Sequence, residues 1–254
     1  MKIISYNVNG IRAAIRKGFL TWLREENPDM VCLQEVKASL EQIDVDNFTS
    51  LGYHTYWMDA TSRKGYSGVA ILTKQEPQYV EYGCGYEVYD REGRIIRADF
   101  NDFSLISVYM PSGTTGDERQ QFKMQWLCDF YQYVNHLKTV KERLIISGDY
   151  NICHRSIDIH DPVRNKHSSG FLPEEREWIT QFIDSGFIDT FRYFNNQADQ
   201  YSWWSYRAGA RSKNLGWRID YHMATENLRD RLSGASILSS VMHSDHCPVV
   251  VTLQ

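Results

Sequence analysis

The sequence predicts an α/β fold in which two packed β-sheets are flanked by helices. About fourteen short segments of strand character are spread over the chain, and a few helical segments interleave with them. This many strands suit two sheets packed face to face better than one parallel sheet. No linker rich in Pro, Gly or Ser divides the chain, and no repeat of about 30 to 45 residues indicates a solenoid or propeller. We therefore expect one domain over residues 1–254.

Five of the predicted strands share one pattern, an apolar run followed at once by polar or glycine residues. They are KIISYNVNG, DMVCLQEVK, SGVAILTK, FSLISVYMPSG and RLIISGDYN. The last strand, CPVVVTL, is instead preceded by its polar group, HSDH. In packed sheets, strand ends from distant parts of the chain can meet at one rim. We expect the polar groups to converge there.

Three helices are predicted from apolar residues at helical spacing. The first lies between the first two strands and ends at Asn27-Pro28; its apolar positions are Ile11, Ile15, Leu20 and Leu23. The second runs from Asp117 to Lys138, with a stripe formed by Phe122, Trp126, Phe130, Val134 and Leu137. The third begins at Pro173-Glu174-Glu175, a favoured first turn, and ends near Gly186. Such stripes predict core packing rather than ligand binding.

Composition indicates a globular protein that is neither disordered nor embedded in a membrane. Hydrophobic residues make up 42% of the chain and aromatic residues 13%, without a low-complexity block. The first residues enter a strand pattern directly, and no apolar run has membrane-spanning length, so we expect a cytoplasmic protein. The five cysteines form no Cys-x-x-Cys pair, which predicts reduced thiols and neither a disulfide framework nor a structural zinc.

Charge is distributed unevenly, although the net charge of −4 argues weakly against a nucleic-acid partner. The segment RAGARSKNLGWR has four cations and no acid, and IRAAIRKG has three cations. Such runs are often only solvated surface. Aromatic residues accompany the first run, and this combination is typical of surfaces that follow a DNA backbone. They are Tyr201, Trp203, Trp204, Tyr206 and Trp217.

The polar residues at the strand ends form a candidate site rich in oxygen ligands. The set comprises Asn7, Asn9, Glu35, Tyr109, Asp149, Asn151, Asp220, Asp245 and His246. Carboxylate and amide oxygens suit a hard cation such as Mg²⁺, whereas zinc would require more histidine or thiolate. A single histidine beside an aspartate suits proton transfer or contact with a phosphate oxygen. The set therefore describes a phosphodiesterase better than a peptidase.

Six members of the set also have a purely structural interpretation. Asp149 and Asn151 could form a local Asx turn. Asn7 could cap a strand end, and Tyr109 could be a core phenol. Asp220 could pair with a neighbouring arginine, and His246 could be a satisfied turn residue.

Eight motifs together resemble the exonuclease III family of apurinic/apyrimidinic (AP) DNA endonucleases, within the larger endonuclease/exonuclease/phosphatase superfamily. They are NVNGIRAA, LQEVK, GYSGVAILTK, VYMPSG, GDYNICH, GFLPEER, ARSKNLGWRIDY and SDHCPV, in this order from residue 7 to 249. GDxN and SDH recur across the superfamily. ARSKNLGWRIDY is what separates the DNA-repair branch.

The resemblance implies a four-layered α/β sandwich with two mixed sheets. It implies Mg²⁺-dependent hydrolysis, with Mn²⁺ as a substitute, of the phosphodiester immediately 5′ to an abasic site, leaving a 3′-hydroxyl. Some 3′-to-5′ exonuclease or 3′-end trimming activity is expected as well. The implied partner is double-stranded DNA, and the implied enzyme is a monomer without a membrane association.

The resemblance also implies roles for the metal and water residues. Glu35 would ligate the metal, and Asn7 and Asp245 would support it from the inner or water-mediated shell. Asp149 would orient and deprotonate the attacking water, held in place by Asn151.

A second group would act on the scissile phosphate. His246, ordered by Asp220, would contact it, and Tyr109 would donate to it or polarise it. The opposite assignment, in which the Asp220 and His246 pair activates the water, is chemically viable and stays open.

For the substrate, the resemblance implies a pocket that accepts a sugar without its base. Trp203, Trp217 and Ile219 would form its wall. Candidate phosphate or groove contacts are Arg12, Lys17, Lys64, Tyr66, Arg207 and Lys213.

Three positions depart from the family pattern. Many relatives have aspartate where this chain has Asn9, some have an arginine at the place of Thr115, and some have a methionine where this chain has Arg207. These differences affect the metal site and the grip on the duplex. Two other functions stay open: a superfamily phosphatase or phosphodiesterase acting on a substrate other than DNA, and a catalytically silent DNA-binding module.

Overall fold

The computed structural model describes all 254 residues, and its strands form two six-stranded sheets and one two-stranded ribbon. The strands are β1 (Lys2–Asn7), β2 (Met30–Gln34), β3 (His54–Met58), β4 (Val69–Thr73), β5 (Tyr79–Tyr82), β6 (Ile95–Asp99), β7 (Ser104–Tyr109), β8 (Leu144–Asp149), β9 (Phe187–Asp189), β10 (Trp203–Trp204), β11 (Gly216–Trp217), β12 (Asp220–Thr225), β13 (Leu232–Ile237) and β14 (Val249–Leu253).

Seven α-helices accompany the strands: α1 (Ile11–Arg16), α2 (Phe19–Glu26), α3 (Asp46–Thr49), α4 (Glu87–Asp90), α5 (Asp117–Leu137), α6 (Pro173–Asp184) and α7 (Thr190–Phe194). Short 3₁₀ turns lie at Leu40–Gln42, Ser156–Asp158, Arg207–Gly209 and Glu226–Arg231. None of the helices is both long enough and apolar enough to cross a membrane.

The two large sheets are mixed, and they pack face to face. Their strand orders are β13-β14-β1-β2-β4-β3 and β5-β6-β7-β8-β12-β9. The pairs β1 with β2 and β7 with β8 are parallel, and the other neighbours are antiparallel. An apolar core that includes Ile3, Cys32, Ile96 and Ile145 lies between the sheets.

Helices cover the outer face of each sheet and complete the four predicted layers. Residues of α1 and α2 pack on the first sheet in a core that includes Ile11, Phe19 and Leu33. Residues of α5 and α6 pack on the second sheet in a core that includes Trp126 and Phe182. The predicted sandwich architecture is confirmed.

The second and third predicted helices are confirmed as α5 and α6, but the first is wrong as one continuous helix. It is divided into α1 and α2 at Lys17 and Gly18. Gly18 has φ +98°, a left-handed conformation that glycine adopts without steric cost. The end at Asn27 is as predicted, with φ +49° at that residue.

Strand register brings the polar strand ends to one rim of the second sheet. In the parallel pair of β7 and β8, Tyr109 lies opposite Asp149. In the antiparallel pair of β8 and β12, Asp220 also lies opposite Asp149. Since β12 runs against β8, its first residue reaches the rim at which β8 ends. Three candidate residues thus lie side by side on adjacent strands.

A buried histidine connects the two sheets and predicts acid lability. In His222, Nε2 donates to the Val249 carbonyl (3.0 Å) and Nδ1 accepts from the Ser147 hydroxyl (2.7 Å). Burial lowers the pKa of His222 to about 4, so the folded protein holds it neutral. The unfolded chain takes up this proton near pH 6.5. Stability is therefore fully present above about pH 6.5 and falls by about 3 kcal/mol as the pH drops towards 4.

Urea unfolding at pH 7.5 and pH 4.5 measures this effect. His222→Gln is expected to lose less stability between the two pH values than the wild type does, and the exposed His54→Gln variant is expected to match the wild type. An equal loss in wild type and His222→Gln would show that other groups cause the acid response.

Candidate active site

The site forms where loops leave the ends of β1, β2 and β8. Glu35 directly follows β2, and Asn151 lies two residues after the end of β8. Both have positive φ angles, +49° and +53°, which are uncommon for residues other than glycine. The chain turns sharply at these positions. Such backbone conformations cluster at functional sites because the surrounding structure must hold them in place.

Asn7 joins the carboxylates of the two sheets. Its Nδ2 donates to Glu35 Oε1 (2.9 Å) and to Asp149 Oδ2 (2.9 Å), and its Oδ1 accepts from the Asn9 amide (3.0 Å). Glu35, Asp149 and His246 each offer a ligand atom within 4.8 Å of the others. The structure therefore brings Glu35 and Asp149 close enough to share one cation or phosphate group.

The pair Asp149 and Asn151 forms the Asx turn and also faces the site. Asp149 Oδ1 accepts from the Asn151 backbone N–H (2.8 Å), while Asp149 Oδ2 faces Asn7 and His246. The Asn151 side chain donates to the Met110 carbonyl (2.9 Å). One oxygen of Asp149 thus holds the turn, and the other is directed into the site.

His246 is held by a buried chain of hydrogen bonds. Its Nδ1 lies 2.9 Å from Asp220 Oδ2, and that oxygen also accepts from the Ser202 hydroxyl (2.6 Å). Its Nε2 faces Asp149 Oδ2 at 3.8 Å. The structural interpretation of Asp220 as an arginine partner is wrong, because Arg218 binds other carboxylates.

Burial and mutual charge shift the pKa values of these groups. Burial raises the pKa of the Asp149 carboxyl, and the neighbouring carboxylates of Asp220 and Glu35 raise it further. Burial lowers the pKa of His246, but Asp220, Asp149 and Asp245 outweigh this effect and raise it above its ordinary value. In Glu35, burial is outweighed by Lys37, Asn7 and His246, so its pKa is lowered.

Asp245 belongs to a neighbouring polar set. Its Oδ1 accepts from Asn9 Nδ2 (2.9 Å), and its Oδ2 accepts from Trp203 Nε1 (3.1 Å). Lys37 Nζ donates to Asn9 Oδ1 (2.6 Å) and forms an ion pair with Glu35 Oε2 (2.5 Å). Asn9 is one of the positions that depart from the family pattern. Its side-chain nitrogen binds Asp245, and its side-chain oxygen binds Lys37.

Tyr109 lies between an anion and a buried cation. Burial and the neighbouring Glu35 raise its pKa, so the phenol keeps its proton at neutral pH. The Arg94 guanidinium lies 4.8 Å from the ring centroid, and Arg94 Nη1 donates to the Tyr109 carbonyl (2.9 Å). A protonated phenol beside the carboxylates can serve as a hydrogen-bond donor to a substrate.

A cavity of about 790 Å³ opens above these residues and has an apolar wall. Trp203, Trp217 and Ile219 line it together with Asp149 and His246. The two tryptophans are partners in the ribbon of β10 and β11, and their rings meet edge to face at 6.1 Å. A compact apolar group can therefore rest against this wall while a polar group meets the carboxylates and histidine.

The predicted basic contacts lie outside this cavity. Arg12, Lys64 and Tyr66 line a separate groove of about 680 Å³. Lys213 borders another cavity, and its Nζ donates to the Ala208 carbonyl (3.0 Å). Exposed residues outside the main cavity also include Lys17, Arg207 and Thr115.

Two of the four cations in RAGARSKNLGWR are not part of an open surface. Arg218 is fully buried. Arg211 donates to the carbonyls of Ser239, Val241 and Ser244 at 2.6 to 3.0 Å and stacks 4.6 Å from the Trp204 ring. The interpretation of all four as surface charges is therefore wrong. Arg211 holds the turn that leads into the aspartate and histidine of the site.

Sequence reasoning missed several residues that support the site. Lys37, Arg94 and Ser202 contact candidate residues directly. Lys123 is fully buried and donates to the Asn151 carbonyl (2.8 Å) and to Glu175 (2.5 Å). Only the two-residue spacing from Glu35 could have indicated Lys37, since charged residues in helices and loops usually face solvent.

Comparison with known proteins agrees with this geometry. The Endonuclease/Exonuclease/phosphatase family matches residues 4–246. An exodeoxyribonuclease of Bacillus subtilis (strain 168) is 46% identical over 251 residues, covering 98% of this chain and 98% of the relative.

Two solved structures share the fold along the whole chain. An AP endonuclease from Archaeoglobus fulgidus superposes with a TM-score of 0.91 at 32% identity, covering 100% of this chain and 99% of that one. The 3′ phosphatase NExo from Neisseria, bound to product DNA hairpin, superposes with a TM-score of 0.91 at 27% identity and the same coverage. The chain therefore belongs to the endonuclease/exonuclease/phosphatase family, in the exonuclease III branch that contains exodeoxyribonucleases and AP endonucleases.

Proposed function

We propose that this protein is a Mg²⁺-dependent DNA-repair hydrolase that cleaves the backbone 5′ to abasic sites and leaves a 3′-hydroxyl. Removal of nucleotides or blocking groups from 3′ ends is a further activity of the same site. One observation carries the proposal: a cluster of carboxylates and a histidine lies beside a wall of two indole rings in one cavity. The cluster suits phosphodiester hydrolysis, and the wall suits a sugar without a base.

The donor set fits a hard divalent cation. Glu35 and Asp149 present carboxylate oxygens from two different sheets, and Asn7 keeps them adjacent. Glu35 would be the direct ligand, and Asp245 and Asn7, whose Nδ2 holds the two carboxylates together, would support the cation from the surrounding shell. A few carboxylate oxygens, completed by substrate phosphate and water, suit Mg²⁺, and Mn²⁺ can replace it. When bound, the cation supplies positive charge against the phosphate.

Asp149 accepts the proton of the attacking water. Burial and nearby carboxylates raise its pKa, which makes the carboxylate a better base than an exposed aspartate. The hydrogen bond from the Asn151 amide fixes its orientation. The water oxygen forms a bond to phosphorus, the bond from phosphorus to the 3′-oxygen breaks, and that oxygen takes a proton from solvent to become the 3′-hydroxyl.

His246 and Tyr109 stabilise the charge that develops on the phosphate oxygens. His246 carries a proton because its carboxylate neighbours raise its pKa, and Asp220 orients the ring. A protonated imidazole is a donor and not a base, which favours Asp149 over the Asp220 and His246 pair as the activator of water.

The apolar wall favours a sugar that has lost its base. Trp203, Trp217 and Ile219 leave room for a sugar, and a nucleotide without a base costs least to turn out of the duplex. A normal nucleotide would have to place its base in the same space.

The remaining expectations extend the proposal to the whole protein. Residues 1–254 act as a single catalytic domain, as a monomer, in the cytoplasm. Double-stranded DNA is gripped by side chains outside the cavity, with the exposed Arg12, Lys17, Lys64, Arg207 and Lys213 and the half-buried Tyr66 as the candidates. Phosphate contacts of this kind give affinity without sequence preference.

Metal dependence and substrate choice can be tested together. Purified protein is incubated with a duplex carrying a stable abasic analogue, an undamaged duplex with recessed 3′ ends, and an inositol polyphosphate, with Mg²⁺ or with a chelator. We expect incision at the analogue that is lost with the chelator and restored by added Mg²⁺. Hydrolysis of the inositol polyphosphate alone would indicate a phosphatase, and DNA binding without cleavage would indicate a binding module.

A further inference from the structure

The segment between β11 and β12 has one arginine that faces away from the cavity. Trp217 and Ile219 line the cavity, and Arg218 stands between them in the chain. Its side chain has no solvent exposure. Alternate residues of an extended segment point to opposite sides, so the buried Arg218 side chain lies behind the two wall residues.

Two buried carboxylates hold this guanidinium. Arg218 Nε donates to Asp158 Oδ1 (2.7 Å), while Nη2 and Nη1 donate to the two oxygens of Asp189 (2.7 and 3.3 Å). The Arg218 backbone amide also donates to the Asp158 carbonyl (2.7 Å). Side chain and main chain of one residue are thus fixed to the same partner.

The carboxylates are themselves attached to separate elements. Asp158 accepts from Arg192 of α7 (2.6 Å), and the next residue, Ile159, forms an isolated bridge with Trp217. Asp189 ends β9 and caps α7 through the Arg192 amide (3.2 Å). Two arginines and two aspartates balance in charge, and together they join α7, β9 and the 3₁₀ turn at Ser156–Asp158 to the apolar wall.

Such a network is poorly explained by stability alone. Buried ion pairs lose much of their attraction to the cost of desolvation, and apolar residues of equal volume often serve as well. The forked guanidinium restricts geometry, because its N–H groups donate only to partners within a narrow range of positions. A lysine at the same place keeps the charge but loses this geometry.

We propose that Arg218 is a positioning residue that fixes the Trp217 and Ile219 wall and thereby the selectivity of the cavity for a sugar without its base. This inference rests on the proposed function. A displacement of the wall by about 1 Å is enough to change a rate by about a hundredfold when a reacting group must be held in place. A loosened wall would bind the abasic sugar less well and would exclude a normal nucleotide less strictly.

Two variants and a matched control test the inference. Arg218→Lys keeps the charge, and the double variant Arg218→Met with Asp189→Asn removes one balanced pair. The control is Arg97→Lys, because Arg97 is also buried and paired with Asp99 and Glu81 but does not line the cavity. For each protein, kcat and KM are measured for incision at the abasic analogue and for nucleotide removal from undamaged recessed 3′ ends.

We divide kcat/KM for abasic incision by kcat/KM for nucleotide removal from undamaged 3′ ends. Arg218→Lys and the double variant are expected to lower this ratio by about tenfold, mainly through a higher KM for the abasic duplex. Arg97→Lys should leave this ratio unchanged within about twofold. Equal loss of both activities in the Arg218 variants would overturn the positioning role. A wild type that never incises the abasic duplex would overturn the proposed function and this inference with it.

Discussion

Asp149→Asn is expected to incise abasic DNA about 1000-fold more slowly than the wild type, with little change in KM. The amide keeps the shape of the carboxylate and can still accept from the Asn151 amide, but it takes no proton from water. Since the carboxylate is buried beside Glu35 and Asp220, its removal relieves like-charge repulsion. The new amide nitrogen would also face Asn7 Nδ2 and His246, which meet Asp149 Oδ2 in the wild type, so the free energy of unfolding of the variant is measured beside its rate to separate loss of chemistry from loss of fold.

Single-turnover rates with saturating enzyme measure the chemical step and steady-state rates measure KM, with the exposed Asp230→Asn as the control. Asp220→Asn supplies the discriminating comparison. If Asp149 is the base, Asp220→Asn should be the less damaging change. A larger loss in Asp220→Asn than in Asp149→Asn would assign the activation of water to the Asp220 and His246 pair.

Gly148→Ala is expected to destabilise the protein by about 3 kcal/mol or more. Gly148 lies on β8 beside Val108 of the parallel strand β7. A Cβ atom at Gly148 would lie 1.9 Å from the Val108 carbonyl oxygen and 2.9 Å from its Cγ1. Backbone atoms of a central strand cannot give way without breaking the ladder, so β7 and β8 would separate next to Tyr109 and Asp149.

The control is Gly234→Ala on β13, where the nearest atom to a new Cβ is the Thr252 hydroxyl at 3.0 Å. A side-chain hydroxyl on an edge pair can rotate, so we expect a cost below about 1 kcal/mol there. Urea unfolding at neutral pH gives both values. A similar small loss for the two variants would mean that the sheet tolerates a wider spacing of β7 and β8 than this structure has.

The strand pattern predicted the rim, because an apolar run that stops at a polar residue is a local signal. Glu35, Asp149 and Asn151 were found in this way. Gly148 explains the abrupt end of the apolar run before Asp149, since no side chain fits there.

The features that depend on long-range contacts could not be read from local patterns. The break between α1 and α2 at Gly18 was missed because the apolar spacing continues through it. The burial of Arg218 was missed because its two partners, Asp158 and Asp189, are 60 and 29 residues away in the chain. From charge composition alone, an arginine-rich segment is expected at the surface. Only the fold distinguishes an exposed arginine that can contact DNA from a buried arginine that is paired with carboxylates.

The most direct measurement locates the broken bond. A duplex with one stable abasic analogue is incised in water enriched in ¹⁸O, and the product ends are analysed by mass spectrometry. Direct hydrolysis 5′ to the analogue predicts a 3′-hydroxyl on the upstream fragment and one ¹⁸O atom in the 5′-phosphate that remains on the abasic sugar. A cut on the 3′ side of the analogue, or a 5′-phosphate without ¹⁸O, would contradict the account.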